Sequence, residues 1–310
     1  MAVSSATIES LPNEILLSIL SLFSTRILLS LAPVSRHFHN VILRVLRCRL
    51  IEAASDKDHK LILECYHPSA QFFTPYVFCD YISTPGLSHS AVTDWGADAK
   101  VGALGELSNL YSYFRPLNPG RAEPQHPAGS RWLALSPMGL VEKHEELVCQ
   151  EIHLDSNELF SQLITTTNLV KLGPKPGVFM SAVTICEGLT RVWRNWLSER
   201  ASCPRNPCEQ LVKERDQKFL WSDSSRQVGM RMNVEKRKDV PEPVIQLRDE
   251  DPPVSYILQY EELAIKTSQL LLMMEHARDE EISHSGKAII IGSWRLAWPL
   301  PRRPLPASYQ

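Results

Sequence analysis

A strongly apolar stretch near the N-terminus, residues 11–42, constrains the fold of this chain more than any other feature. Its first predicted helix carries two neighbouring apolar stripes: Ile15, Ile19 and Leu22, and Leu16, Leu20 and Phe23. A helix that is apolar around most of its circumference is buried around most of it. A unit of about forty residues rarely has enough core for that, so we expect one stripe to pack inside the chain and the other against another chain.

The stretch divides into three short helices that we expect to begin near Pro12, Thr25 and Pro33. Ser24 and Thr25 can cap a helix, and proline suits a first helical turn. The third helix continues to about Ala54 and carries four arginines, predicted to form a solvated face: Arg36, Arg44, Arg47 and Arg49.

The spacing of specific residues in this stretch matches a known family. The matching residues are Leu11, Pro12, Glu14, Ile15, Leu16, Ile19, Leu20, Leu28, Leu29, Val34, Ser35, Arg36 and Phe38. The segment resembles an F-box, and differs from it where Ile27 replaces a usual acidic or polar residue and Phe38 a common Trp. The resemblance implies binding to the Skp-type adaptor, and through it to a cullin, in SCF ubiquitin ligases. An F-box protein there chooses the protein substrate and performs no chemistry.

The resemblance implies adaptor contacts at ten positions: Leu11, Pro12, Ile15, Leu16, Ile19, Leu20, Leu28, Leu29, Val34 and Phe38. Five of them we expect to be buried only in the complex with the adaptor: Leu11, Pro12, Ile15, Leu16 and Leu20. No cofactor and no metal are implied.

Two other interpretations of the stretch stay open, a membrane anchor and the helical core of a larger domain. Against the anchor, Arg26 would lie near mid-membrane, at a cost of about 2.5–3.5 kcal/mol. Residues 1–14 also contain no Lys or Arg, so the positive start of a signal sequence is missing. We therefore expect no membrane association.

Composition argues against several partner classes. A net charge of −2 with 22% charged residues gives no general attraction to nucleic acid or to anionic membranes. The seven cysteines are odd in number and irregularly spaced, which favours a reducing compartment over a disulfide framework. The prediction is a cytoplasmic or nuclear protein.

Beyond residue 58 the apolar period changes from 3.6 to 2, which indicates β-strands. Ten strands are predicted: Leu61–Cys65, Tyr76–Ile82, Arg131–Leu135, Leu147–Leu154, Leu163–Val170, Gly177–Cys186, Val228–Glu235, Val254–Tyr260, Ala264–Met274 and Lys287–Trp294. No regular helix is expected between them, so the predicted class is α+β, a small three-helix unit followed by a large, mainly-β, sandwich-like domain.

The predicted organisation has four parts. Residues 1–8 form a disordered leader, 9–54 the F-box helices, 60–300 the β-rich substrate-recognition domain and 301–310 a tail. Long inserts rich in Gly, Pro and polar residues are expected at 83–130 and 201–226, and loops of this kind are the predicted sites of target recognition.

Trp193 and Trp196 are candidate ligand-binding residues. The spacing of Leu189, Val192, Trp193, Trp196 and Leu197 predicts an amphipathic helix. Residues 172–200 also weakly resemble the sugar-binding F-box-associated β-sandwich domain, through Gly173, Pro174, Gly177, Gly188, Trp193, Trp196 and Arg200. That resemblance implies a glycan-binding loop near the aromatic pair, although two Trp on one face are more often core.

One pattern suggests catalysis. His153 and Asp155 share a strand face and could supply part of a non-haem iron site, with His276 and Arg278 as the only later candidates at a plausible distance. A β-sandwich Fe(II) oxygenase is therefore the alternative hypothesis, beside an F-box scaffold acting outside the ligase. The main prediction is a non-catalytic substrate receptor, with no catalytic residues.

Overall fold

The computed structural model describes residues 8, 11–68, 76–87, 103–117, 147–173, 178–202, 219–237 and 251–283. The helices are α1 (Asn13–Leu20), α2 (Thr25–Leu31), α3 (Arg36–Ala54), α4 (Ala103–Ser108), α5 (Arg194–Ser202) and α6 (Thr267–Ser283). The strands are β1 (His59–Tyr66), β2 (Val77–Ser83), β3 (Tyr111–Pro116), β4 (Val148–Leu154), β5 (Phe160–Leu172), β6 (Phe179–Trp193), β7 (Phe219–Trp221), β8 (Val228–Lys236) and β9 (Val254–Lys266).

The three predicted N-terminal helices are present, and α3 ends at Ala54 as expected. It begins at Arg36 rather than near Pro33, because the side chain of Ser35 accepts a hydrogen bond from the Phe38 N–H and caps the helix there. Ser24 precedes α2 but makes no side-chain capping bond.

The strands form one antiparallel sheet in the order β6-β5-β1-β2-β3-β9-β8-β7. The long strand β9 pairs with β8 along one edge, while β3 and then β4 share the other edge. The two ends of the sheet also approach each other, since Cys186 Sγ on β6 lies 3.3 Å from Ser222 Oγ just after β7. The sheet therefore curls into a nearly closed barrel, and the predicted α+β class is confirmed.

Seven of the predicted strands correspond to β1, β2, β4, β5, β6, β8 and β9. The predicted strand Ala264–Met274 is wrong, because β9 ends at Lys266 and the chain continues as α6. Leu270, Leu271, Met274 and Ala277 are buried on that helix at helical spacing. The expectation of no regular helix among the strands is also wrong, because α4 lies between β2 and β3 and α5 between β6 and β7.

The other differences fall in the predicted inserts. The structure places α4 and β3 within 83–130 and β7 within 201–226. The strands predicted at Arg131–Leu135 and Lys287–Trp294 lie outside the described residues.

The N-terminal helices and the barrel share one hydrophobic core. A single cluster of buried residues runs from Leu16 and Leu28 through Leu50 of α3 to Leu270 and Leu258. A small second cluster, on the sheet's other face, is built on Ile62, Val170 and Phe179. The helical unit is thus packed into the barrel domain as well as joined to it by the chain.

Candidate functional site

The N-terminal helices carry a concentration of exposed apolar side chains. Six large apolar residues there are exposed: Ile15 (48%), Leu22 (84%), Phe23 (38%), Ile27 (46%), Leu29 (47%) and Val34 (64%). We call these six residues, together with the exposed Pro12, the N-terminal apolar surface. An apolar concentration of this kind marks an interaction site more often than an isolated exposed leucine does.

The two apolar stripes that begin on α1 differ in environment within the helix, and both end in exposed residues in the turn that follows. Leu16 and Leu20 are buried, at 1% and 3% exposure. Ile15 and Leu22 of the other stripe are exposed, and Ile19 is half-buried. Leu16 and Leu20 therefore complete the core of the chain itself, whereas Phe23, the last member of their stripe, is exposed like Ile15 and Leu22.

The ten predicted adaptor contacts divide in the same way. Leu16, Leu20, Leu28 and Phe38 are buried within the chain, Leu11 and Ile19 are half-buried, and Pro12, Ile15, Leu29 and Val34 are exposed. The expectation that Leu16 and Leu20 become buried only in a complex is wrong, because the shared core already covers them. The exposed members remain candidate contacts.

The turn between α1 and α2, residues 21–24, is held by an arginine and a glutamate from distant parts of the chain. The guanidinium of Arg49 on α3 donates to the carbonyl oxygens of Ser21 and Phe23 and to Thr25 Oγ1. It also pairs with Glu275 of α6, at 2.9 Å. The side chains of Arg49 and Glu275 are only 16% and 22% exposed.

Glu275 also caps α2. Its carboxylate accepts hydrogen bonds from the Thr25 N–H, at 3.1 and 3.3 Å, and from the Thr25 hydroxyl, at 2.6 Å. A carboxylate at a helix N-terminus satisfies main-chain N–H groups and is favoured by the helix dipole. Arg49 was predicted to be solvated, but it is part of this junction. Sequence patterns could not reveal the contacts of Glu275, because Arg49 and Thr25 lie 226 and 250 residues away from it along the chain.

A second charged cluster fixes the other end of α6. The ring nitrogens of His59 lie 2.6 Å from Asp56 Oδ2 and 2.9 Å from Glu281 Oε1. Lys171 Nζ lies 2.6 Å from the second oxygen of Glu281. Burial acts to raise the pKa of Glu281, but hydrogen bonds from Lys171 and His59 outweigh it and hold that pKa below its ordinary value. The pKa of Asp56 is lowered likewise, against burial, by hydrogen bonds from His59 and the Asp58 N–H.

Trp193 and Trp196 do not form a pair. Residues 189–193 belong to β6 and the helix begins only at Arg194, so the predicted amphipathic helix is wrong for its first half. Trp193 is 49% exposed and its ring centroid lies 5.2 Å from that of Phe160 on β5. Trp196 is half-buried against the core, with the Arg200 guanidinium over its ring. Of the two, Trp193 is the more exposed side chain and stays a candidate ligand-binding residue.

The candidate iron ligands His153, Asp155 and His276 form hydrogen bonds or ion pairs with one another or with neighbouring side chains. His153 Nδ1 lies 2.8 Å from Ser255 Oγ, and Nε2 lies 3.0 Å from Asp155 Oδ1. His276 pairs with Glu280 on α6. In the described part of the chain, no three His, Cys, Asp or Glu side chains come together as a metal site would need.

Two cavities adjoin α6. A cleft of about 670 Å³ lies between the α1–α2 turn, α3 and α6, with Phe23, Arg49 and Met274 in its lining. A smaller pocket of about 380 Å³ lies where α3 meets the barrel, with His59, Tyr81 and Leu270 in its lining.

Comparison with known proteins identifies the N-terminal helices. A family model described as F-box-like matches residues 8–49. Searches of curated proteins and of solved structures each found no match. Among the described helices, none is both long and apolar enough to cross a membrane.

Proposed function

Residues 8–49 form an F-box-like domain, and from this premise we propose that the protein is a substrate-recognition subunit of an SCF-type ubiquitin ligase. The F-box-like helices bind a Skp-type adaptor, which links the chain to a cullin, and the barrel domain holds a protein target. The protein does no chemistry of its own. It raises the local concentration of a target lysine near a ubiquitin-charged enzyme.

The observation that carries this proposal is the N-terminal apolar surface. Ile15 of α1, Leu29 of α2 and Val34, between α2 and α3, are 48%, 47% and 64% exposed. The buried residues of α1 and α2 face the core instead: Leu16, Leu20, Thr25 and Leu28. Full burial of one of the exposed side chains is worth about 1.5–3 kcal/mol. A partner that covers several of them gains enough free energy for a stable complex, after the cost of association.

The cysteines fit a cytoplasmic or nuclear place of action. Within the described residues, five cysteines form no disulfide, and three of them are buried: Cys65, Cys79 and Cys186. A thiol that is buried and unpaired suits a reducing compartment.

The experiment is a binding titration with a purified Skp-type adaptor. The variant Ile15→Ala with Leu29→Ala removes two exposed side chains, so adaptor affinity should fall at least tenfold while the fold persists, because central apolar contacts commonly cost over 1–2 kcal/mol each. The matched control is Leu172→Ala with Ile282→Ala, which removes exposed side chains (40% and 80%) from β5 and α6. Wild-type protein that fails to bind the adaptor contradicts the proposal.

A further inference from the structure

The α1–α2 turn presents part of the N-terminal apolar surface, and short-range backbone hydrogen bonds hold its first part: the N–H groups of Ser21, Leu22 and Phe23 donate to carbonyl oxygens of α1. Leu22 and Phe23 project from it, at 84% and 38% exposure. Ser24, at the N-cap position of α2, makes no side-chain capping bond. The side chains of other parts of the chain are therefore needed to cap α2 where the turn enters it.

Arg49 supplies the contact to the turn. Its guanidinium donates to the Ser21 and Phe23 carbonyl oxygens, one at the C-cap of α1 and one in the turn. A guanidinium has several donors in a rigid fork, so one arginine can hold two carbonyls only if its own plane is fixed.

Glu275 fixes that plane from the barrel side. Its Oε1 atom lies 2.9 Å from Arg49 Nη1, and the same carboxylate accepts from the Thr25 N–H and hydroxyl. One side chain of α6 thus orients both the arginine that holds the turn and the first residue of the helix that follows it.

We propose that Glu275 is a positioning residue for the α1–α2 turn, through which the barrel domain sets the shape of the N-terminal apolar surface. The inference rests on the proposed function for the identity of the partner, a Skp-type adaptor. Glu275 acts through Arg49 and Thr25 and need not touch the adaptor. The barrel is then more than a target holder, because adaptor affinity depends on how α6 is seated.

The expected loss of adaptor affinity depends on how much of the time the α1–α2 turn keeps its binding shape. If loss of the carboxylate leaves the turn in its binding shape for only a fraction of the time, the apparent affinity falls by that fraction. We expect Glu275→Gln to weaken adaptor binding by about 5- to 20-fold. Gln keeps the size of the side chain but loses the charge and one acceptor oxygen.

The matched control is Glu262→Gln. Glu262 also pairs with an arginine, Arg231, at 3.0 Å and is 26% exposed, but it lies on β9. Its neutralisation should leave adaptor affinity within about twofold of wild type, because sites without shared partners act independently.

The experiment measures two quantities on the full chain, below the unfolding temperature of each variant. Calorimetric titration gives adaptor affinity, and hydrogen exchange gives the protection of amides 21–28 in the free protein. We expect Glu275→Gln to lower both, and Arg49→Lys to do the same. The double variant should add little to either single one, since both residues act in one network.

Three results would overturn the inference. Unchanged exchange and affinity in Glu275→Gln overturn the inference, as does a change in affinity that Glu262→Gln reproduces. Faster exchange at 21–28 with unchanged affinity also overturns it, because the turn would then not limit binding. If wild type does not bind the adaptor, the proposed function fails, and the exchange data alone then decide whether Glu275 positions the turn.

Discussion

Glu275 near the C-terminal end of the described chain caps the helix that begins at Thr25, although 250 residues separate them. A side chain of the barrel domain therefore stabilises the N-terminal helical unit, and the shared hydrophobic core also joins the two parts into one folding unit. If the barrel domain holds a target as proposed, this junction would keep that target at a fixed orientation to the N-terminal apolar surface, which a flexible tether would not do.

The first prediction is that the helical unit and the barrel unfold together. Removal of residues 1–55 would expose Leu270, Leu271 and Met274, which are buried in the intact chain. We expect the truncated chain to lose its cooperative urea transition, measured by circular dichroism, and full-length protein to show one transition. A truncated chain that unfolds cooperatively at the wild-type midpoint would contradict this.

A single substitution at Glu275 tests the contact between α6 and the N-terminal helices without removing any segment of the chain. Glu275→Ala leaves the partly buried Arg49 guanidinium without its ion-pair partner and α2 without its cap. Charged hydrogen bonds of this kind contribute about 1.5–3 kcal/mol, so the free energy of unfolding should fall by about 2–3 kcal/mol. Glu262→Ala on β9 is the control. If it lowers the free energy of unfolding as much as Glu275→Ala or more, the Arg49–Glu275 contact stabilises the fold no more than an ion pair elsewhere.

These long-range contacts mark the limit of what the sequence could predict. The apolar periodicity was sufficient for α1, α2, α3 and most strands, because those patterns are local. It failed at α6, where an unbroken apolar run fits either a buried strand or a buried helix. Arg49 and Glu275 could not be paired from the sequence, since the position of α6 had to be known first.

The exposed surface was predictable for a different reason. The two apolar stripes were one more than the chain itself could bury, and the structure leaves Ile15, Leu22 and Phe23 exposed. The sequence could not show which residues of α1 would face outward. Leu16 and Ile15 are both strongly apolar, and only packing against the rest of the core distinguishes them.

The closure of the sheet depends on Gly188. A Cβ atom there would stand closer than 3.0 Å to the carbonyl oxygen of Ser222, a main-chain atom that cannot move aside. Gly188→Ala should therefore destabilise the fold by about 3 kcal/mol in urea unfolding. The control is Gly105→Ala in α4, where nothing lies within 4 Å and alanine should stabilise the helix by about 0.5–1 kcal/mol. Equal effects of the two changes would contradict the close approach.

The cluster around His59 predicts a loss of stability in acid. Because the pKa of Glu281 is lowered from its ordinary 4.5 in the folded chain, its ionised form contributes stability above that value, and the contribution is lost as the pH falls through the folded pKa. Glu281→Gln should be less stable than wild type at pH 7, by about 1–2 kcal/mol, and the gap should narrow at pH 3. Urea unfolding at both pH values measures it.

Glu199→Gln serves as the control for that experiment, since Glu199 is an exposed carboxylate on α5. Its difference from wild type should stay small at both pH values. If the gap between wild type and Glu281→Gln is the same at pH 3 as at pH 7, the ionised carboxylate is not the source of the stability.

The last prediction concerns the target. Trp193 is 49% exposed at the end of β6, beside Phe160, and the Arg191 guanidinium lies 5.1 Å from the centre of the Phe160 ring. Exposed Trp and Arg side chains are the residues most enriched among energetic centres of interfaces. We expect Trp193→Ala to reduce capture of target proteins at least fivefold, measured by quantitative mass spectrometry of purified complexes, with adaptor binding unchanged.

Trp196→Ala is the control, because Trp196 packs against the core and its loss should lower stability before it changes which targets are captured. If Trp193→Ala captures the same proteins in the same amounts as wild type, targets bind elsewhere on the barrel, and the segments at 83–130 and 201–226 become the next places to test.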